Sequence, residues 1–156
     1  MRATDVFEVI NETAEGFRPA AEASGVSLAV EGPARATLVA DADPDRLAQV
    51  VANLVENALD FASGRVTVGT GRVEGAVEIW VEDDGPGIDA DDIAHIFDRF
   101  YRASRTPSRH VGSGLGLAIV HELVDAMGGA VRAESSPEGG ARLVVALRPG
   151  AEANAA

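Results

Sequence analysis

Asn53 and Asn57 stand four residues apart, so on a helix their side-chain amides project one turn apart into the same space. A neutral amide oxygen is a hard ligand suited to a Mg²⁺ ion otherwise held by phosphates and water. The same spacing also describes a solvated polar face, and the pair alone does not choose between the two. A second group follows at Glu82-Asp83-Asp84-Gly85-Pro86-Gly87-Ile88, where carboxylates end an apolar run and alternating glycines come next. Bare glycine backbone lets a ligand ring pack closely, and a buried carboxylate there can accept hydrogen bonds from an exocyclic amine. Read alone, Asp-Gly-Pro-Gly is also an ordinary turn. The third group, Gly112-Ser113-Gly114-Leu115-Gly116-Leu117, opens a helical stretch, where backbone N–H groups can hold phosphate oxygens. Just before it, Arg99, Arg102, Arg105 and Arg109 form a cationic island with no acid from residue 99 to 110.

Composition removes competing chemistries. The chain has no cysteine, which excludes disulfide scaffolds, thiolate zinc sites and cysteine nucleophiles. Its 13 cationic side chains are all arginine, so a P-loop lysine or Schiff-base lysine is excluded too. A net charge of −12 argues against nucleic acid or an anionic membrane surface as partner. No apolar stretch approaches the roughly 20 residues of a membrane span, which predicts a soluble, cytoplasmic domain without direct membrane contact.

The elements that must position these groups are legible in the changing apolar period. Thr4 or Asp5 can cap a first helix with Val6, Ile10, Ala14, Phe17 and Ala21 on one face, kinked at Pro19 and ended by Gly25. Residues 26–31 and 36–40 read as strands, and a helix runs from Asp43-Pro44 to about Ala62. On that helix Leu47, Val50, Val51, Leu54, Ala58 and Phe61 face a sheet, while Gln49, Asn53, Asn57 and Asp60 form a separate polar stripe. Residues 65–69 and 76–82 alternate as strands, residues 89–96 form a short helix, and a helix from about 114 to 127 stops at Gly128-Gly129. Residues 130–134 and 141–147 close the domain as a hairpin, and residues 150–156 are expected to be a disordered tail.

The order of the groups is more specific than any one of them. Asn53-Leu54-Val55-Glu56-Asn57-Ala58, Asp83-Asp84-Gly85-Pro86-Gly87, Ile96-Phe97-Asp98-Arg99-Phe100-Tyr101-Arg102 and Gly112-Ser113-Gly114-Leu115-Gly116-Leu117 resemble the N, G1, F and G2 boxes of sensor histidine kinases. The resemblance covers their catalytic and ATP-binding domain, here residues 1–149, and implies an α/β two-layer sandwich. Such a domain has a mixed sheet of about five strands, helices on one face and a mobile lid, here about residues 97–113. It implies ATP and Mg²⁺ as cofactors and transfer of the γ-phosphoryl group to a histidine in two-component signalling. Asn57 resembles the Mg²⁺ ligand and Asn53 its neighbour facing the phosphates. Asp83 resembles the carboxylate that reads the adenine amine, with Gly85 and Gly87 shaping the base pocket and Tyr101 lining it. Arg102 resembles a γ-phosphate contact, with Arg105 beside it in the lid, and Gly112, Gly114, Leu115 and Gly116 resemble the segment that brings backbone amides to the phosphates. Glu56, next to Asn57, is the candidate for polarising the incoming imidazole; on a helix a lone glutamate is also an ordinary solvent-facing residue.

The resemblance places the accepting histidine on a helical dimerisation domain of the parent protein, which is expected to lie outside this chain, with a response regulator receiver domain as downstream partner. The isolated domain is then expected to be monomeric. His95, His110 and His121 lack partners that would define a triad or metal site and are read as non-catalytic. Where many members of the family carry a basic residue one turn after the second asparagine, this chain has Asp60. The hydrolytic ATPases that share the fold resemble Glu-x-x-x-Asn at this helix, and Asn53 in the first position argues against fast hydrolysis. A serine kinase of the anti-sigma-factor type and a nucleotide-binding regulatory module are the alternatives.

Overall fold

The computed structural model describes residues 1–33, 38–98, 116–136 and 139–150 of the chain. Its first element is a strand that the apolar pattern does not announce, β1 (Arg2–Asp5), four residues too short to display a period. Helix α1 (Val6–Ala23) follows directly, burying Val6, Ile10, Ala14 and Ala21, with Phe17 partly buried. Asp5 is its cap, accepting from the Glu8 N–H at 3.1 Å. Thr4 is instead buried in strand pairing, its hydroxyl donating to the Ala42 carbonyl at 2.8 Å. The helix continues through Pro19, and Gly25, at φ +71°, turns the chain into β2 (Ser27–Glu31).

The strand expected at residues 36–40 lies at β3 (Val39–Ala42), antiparallel to β1 with Arg2 opposite Ala42 and Asp5 opposite Val39. Pairing with β1 fixes where it falls, and residues 34–37 lie outside the described set. Helix α2 (Pro44–Phe61) matches its expected span. Strand β4 (Arg65–Val73) is longer than expected, because Gly69 and Gly71 sit inside it as the bed on which the Trp80 ring lies. A Cβ at Gly69 would stand 2.7 Å from the ring carbon Cζ2. Glu74 and Gly75, at φ +48° and +82°, make a two-residue hairpin loop into β5 (Ala76–Asp83).

The helix expected at 89–96 is shorter: α3 (Ala90–Ile93) is one turn, its N-cap Asp89 makes no side-chain capping bond, and hydrogen-bonded turns carry the chain to Asp98. Helix α4 (Gly116–Ala126) ends at Gly128, φ +74°. Strands β6 (Ala130–Ser135) and β7 (Ala141–Leu147) form the closing hairpin. Gly150, expected to begin a loose tail, donates its N–H to the Val39 carbonyl at 2.9 Å.

The main sheet has the order β2-β4-β5-β7-β6, parallel between β2 and β4 and antiparallel elsewhere, so the expected mixed five-stranded sheet is present. Its inner face contributes Leu28, Val66, Val68, Val77, Ile79, Val81, Leu143, Val145 and Leu147 to one core with the buried faces of α1, α2 and α4. At roughly 1.5–3 kcal/mol for each large apolar side chain fully buried, this face orients the helices. The opposite face carries polar pairs: Arg132 binds Glu78 at 2.9 Å, Arg142 binds Glu82 at 3.2 Å, and the Arg142 guanidinium lies 4.8 Å from the Trp80 ring centroid. Among the described residues no helix is long and apolar enough to cross a membrane.

Candidate functional site between α2, the end of β5 and the start of α4

Helix α2 forms because Asp43 caps it and Pro44 suits its first position. One Asp43 carboxylate oxygen accepts from the N–H of Asp45 at 2.9 Å and of Arg46 at 3.2 Å. The Arg46 N–H is the largest influence on the carboxyl, which is held below its ordinary range. Leu47, Val50, Val51, Leu54, Val55 and Ala58 lock the helix against the sheet, while Phe61 is half-buried. The polar stripe is therefore fixed in direction. Asn53, Asn57 and Asp60 are half-buried on it, and Gln49 and Glu56 are exposed. Asn53 donates through Nδ2 to the Gly116 carbonyl at 3.3 Å and accepts at Oδ1 from Gln49 Nε2 at 3.3 Å. The stripe thus meets the first residue of α4.

At its other end α2 meets the second group. Alternation along β5 turns Val77, Ile79, Val81 and Asp83 toward the helices, and Asp83 is 7% exposed. Its Oδ1 accepts from the Gly85 N–H at 2.8 Å and from the Ala141 N–H at 3.5 Å. A Cβ at Gly85 would strike the Phe61 carbonyl oxygen, and Gly87, at φ +82°, faces the Gly139 carbonyl at 2.7 Å from a would-be Cβ. Both glycines are required because the chain's own backbone, at Phe61 and Gly139, approaches them closely.

Asp84 does something else. Its Oδ1 accepts from three successive backbone N–H groups, those of Ser63, Gly64 and Arg65, at 2.9, 3.0 and 3.0 Å. Partial burial works to raise the Asp84 pKa, but these amides outweigh it and hold the carboxyl below its ordinary range. Asp84 ties the turn after α2 to β5.

Two glycines of the β6–β7 connection and the first residue of β7 also belong to this region, which the sequence does not announce. Gly139, Gly140 and Ala141 pack on the Asp83 loop, and a Cβ at Gly140 would overlap the Asp83 carbonyl oxygen. The adjacent glycines were visible, but they read as a hairpin turn because nothing local announces a contact 57 residues back along the chain. Gly116 differs from the other site glycines: a Cβ there would project into open space. Tyr101, Arg102, Arg105, Gly112, Gly114 and Leu115, with the rest of the arginine island and His110, lie outside the described residues. His95 pairs with Asp98 at 3.1 Å, and His121 is exposed on α4.

A mixed five-stranded sheet with helices packed on one face is a two-layer α/β sandwich. Residues 42–151 match the family described as histidine kinase-, DNA gyrase B-, and HSP90-like ATPase, and the chain belongs to that family. It is 46% identical over 105 residues to the signal transduction histidine-protein kinase AfsQ2 of Streptomyces coelicolor, covering 67% of this chain and 20% of that protein. Its fold is similar to that of the mycobacterial sensor histidine kinase MprB, with TM-score 0.83, 29% identity, 95% of this chain and 99% of that chain covered. It is also similar to full-length ShkA in complex with AMPPNP, with TM-score 0.81, 31% identity, 96% of this chain and 31% of that chain covered. The chain spans about a fifth of the length of the curated relatives it matches.

Proposed function

We propose that the chain binds Mg·ATP in the trough along α2 and donates the γ-phosphoryl group to a histidine on a helical dimerisation domain of its parent sensor kinase, within a two-component system. The observation that carries this reading is Asp83. It is a buried carboxylate at a strand end whose Oδ1 accepts from the Gly85 and Ala141 amides, in a loop closed by Gly85, Gly87 and Gly140. A carboxylate held in place by backbone amides in this way can recognise a base by its exocyclic amine. AMPPNP in ShkA and the histidine kinase names of AfsQ2 and MprB support the same reading.

Asp83 accepts from the adenine amine, and Gly85 and Gly87 shape the base pocket by letting the Asp83 loop close against Phe61 and Gly139. From Asn53 to Phe61 the helix extends about 12 Å, and the sugar and phosphates lie along it toward Gly116. The amide oxygen of Asn57 fits a hard divalent cation shared with phosphates, and Asn57 is the residue that would hold it. Magnesium, when bound, neutralises charge on the transferring phosphoryl group. The protein's part is positioning: a P–N bond to the imidazole forms as the bond from γ-phosphorus to the bridging oxygen breaks, releasing ADP. Arg102 and Arg105 are the proposed lid contacts to the phosphates, Tyr101 the base-lining residue, and Gly112, Gly114, Leu115 and Gly116 the backbone cradle. Glu56, exposed beside Asn57, is the proposed group for polarising the incoming imidazole. A response regulator receiver domain is the proposed recipient of the phosphoryl group from that histidine.

The test is calorimetric titration with ATP and ADP, each with and without Mg²⁺, and with GTP for comparison, followed by phosphoryl transfer to a supplied histidine domain. Adenine-selective, magnesium-strengthened binding with transfer is expected. Adenine binding with no transfer would favour the regulatory-module reading instead. In Asn57→Ala the magnesium-dependent part of ATP binding should be lost selectively; equal losses with and without the metal would contradict its role.

A further inference from the structure

Gln49 belongs to the polar stripe, and none of the proposed nucleotide or metal contacts uses it. A carboxamide has two unlike ends, an acceptor oxygen and a donor nitrogen, and which end faces a ligand decides what it can bind. Asn53 sits one turn from Gln49 and one turn from Asn57, and its Oδ1 is taken by Gln49 Nε2 at 3.3 Å. Its Nδ2 consequently points across to the start of α4, where it donates to the Gly116 carbonyl at 3.3 Å. The relay has one direction, amine to carbonyl at both links, and reversing the Asn53 amide would set nitrogen against nitrogen at Gln49 and oxygen against oxygen at Gly116.

We propose that Gln49 is a positioning residue for nucleotide binding: it fixes the polarity of the Asn53 carboxamide, so that Asn53 meets the triphosphate as a hydrogen-bond donor and metal ligation falls to Asn57. This rests on the Mg·ATP reading above. A phosphate oxygen is an acceptor, as the Gly116 carbonyl is, so Asn53 Nδ2 exchanges one acceptor for the other when nucleotide enters. Gln49 keeps hold of Oδ1 throughout. The exposed Gln49 touches no phosphate itself; it acts through Asn53.

The experiment compares the wild type with Gln49→Met, which keeps length and removes both polar ends, and with Asn53→Ala and the double variant. ATP affinity is measured by calorimetry with and without Mg²⁺, and adenosine binding by chemical-shift titration. Gln49→Met should weaken ATP about five- to tenfold. The factor should be the same with and without Mg²⁺, and adenosine binding should not change. In the Asn53→Ala background Gln49→Met should have no further effect, a non-additivity that general loosening of the helix would not produce. Gln49→Lys, which keeps a donor and has no acceptor, should restore the Asn53 side-chain amide resonances to their wild-type positions. Unchanged ATP affinity in Gln49→Met, or full additivity with Asn53→Ala, would overturn the proposal while leaving the nucleotide reading intact. Failure of the wild type to bind ATP or adenosine would overturn both.

Discussion

Strand alternation turns Asp83 inward, where its Oδ1 accepts from the Gly85 and Ala141 amides, and it leaves Asp84 to bind three amides of the preceding turn. Their substitutions should therefore separate binding from stability. Asp83→Asn keeps an acceptor for the Gly85 N–H but can set a donor against the adenine amine. ATP affinity should fall at least tenfold with little change in thermal midpoint, and undiminished affinity would remove Asp83 from the site. Asp84→Ala should cost about 2–4 kcal/mol of stability and leave the ATP affinity of the folded protein unchanged, as denaturant titration and calorimetry would read. Because the folded-state pKa of Asp84 lies below its ordinary 3.8, its contribution is complete above that value and is lost as pH falls through the lower folded-state value. The stability gap between wild type and Asp84→Ala should thus narrow below about pH 4. Residue type alone leaves the two adjacent aspartates equal; the family resemblance singled out Asp83, and the direction of β5 and the path of residues 63–65 give the physical difference between them.

At the scale of elements, α1, α2, α4 and the closing hairpin were readable because their apolar periods are long, and the Asn53–Ala58 box lies on α2. What was not readable came from pairing across distance. β1 is too short to show a period, the start of β3 is set by β1, and β4 was cut short at glycines that make room for Trp80. The Gly139-Gly140 contact with Asp83 has the same origin. Gly140→Ala should disturb both the turn and the site, lowering thermal stability and nucleotide affinity together, unlike Asp83→Asn. The β4–β5 hairpin loop offers the opposite case. Glu74 holds a φ of +48°, which asparagine adopts more readily, so Glu74→Asn should raise stability by about 0.5–1 kcal/mol. A lowered denaturation midpoint would show that the Glu74 side chain does more than occupy the turn.

For the molecule as a whole, a charge of −12 sets a background that any anionic ligand must overcome. Asn53 reaches the start of α4 on the inner side of the sheet, while the sheet's outer face spends its arginines on Glu78, Glu82 and Glu134. That outer face also holds the chain's single tryptophan, spread on Gly69 and Gly71 with a guanidinium above it and the full thickness of the sheet between it and α2. Indole emission is therefore an optical gauge of the sheet itself. It should shift when β4, β5 and β7 separate and stay steady while the opposite side of the domain fills and empties.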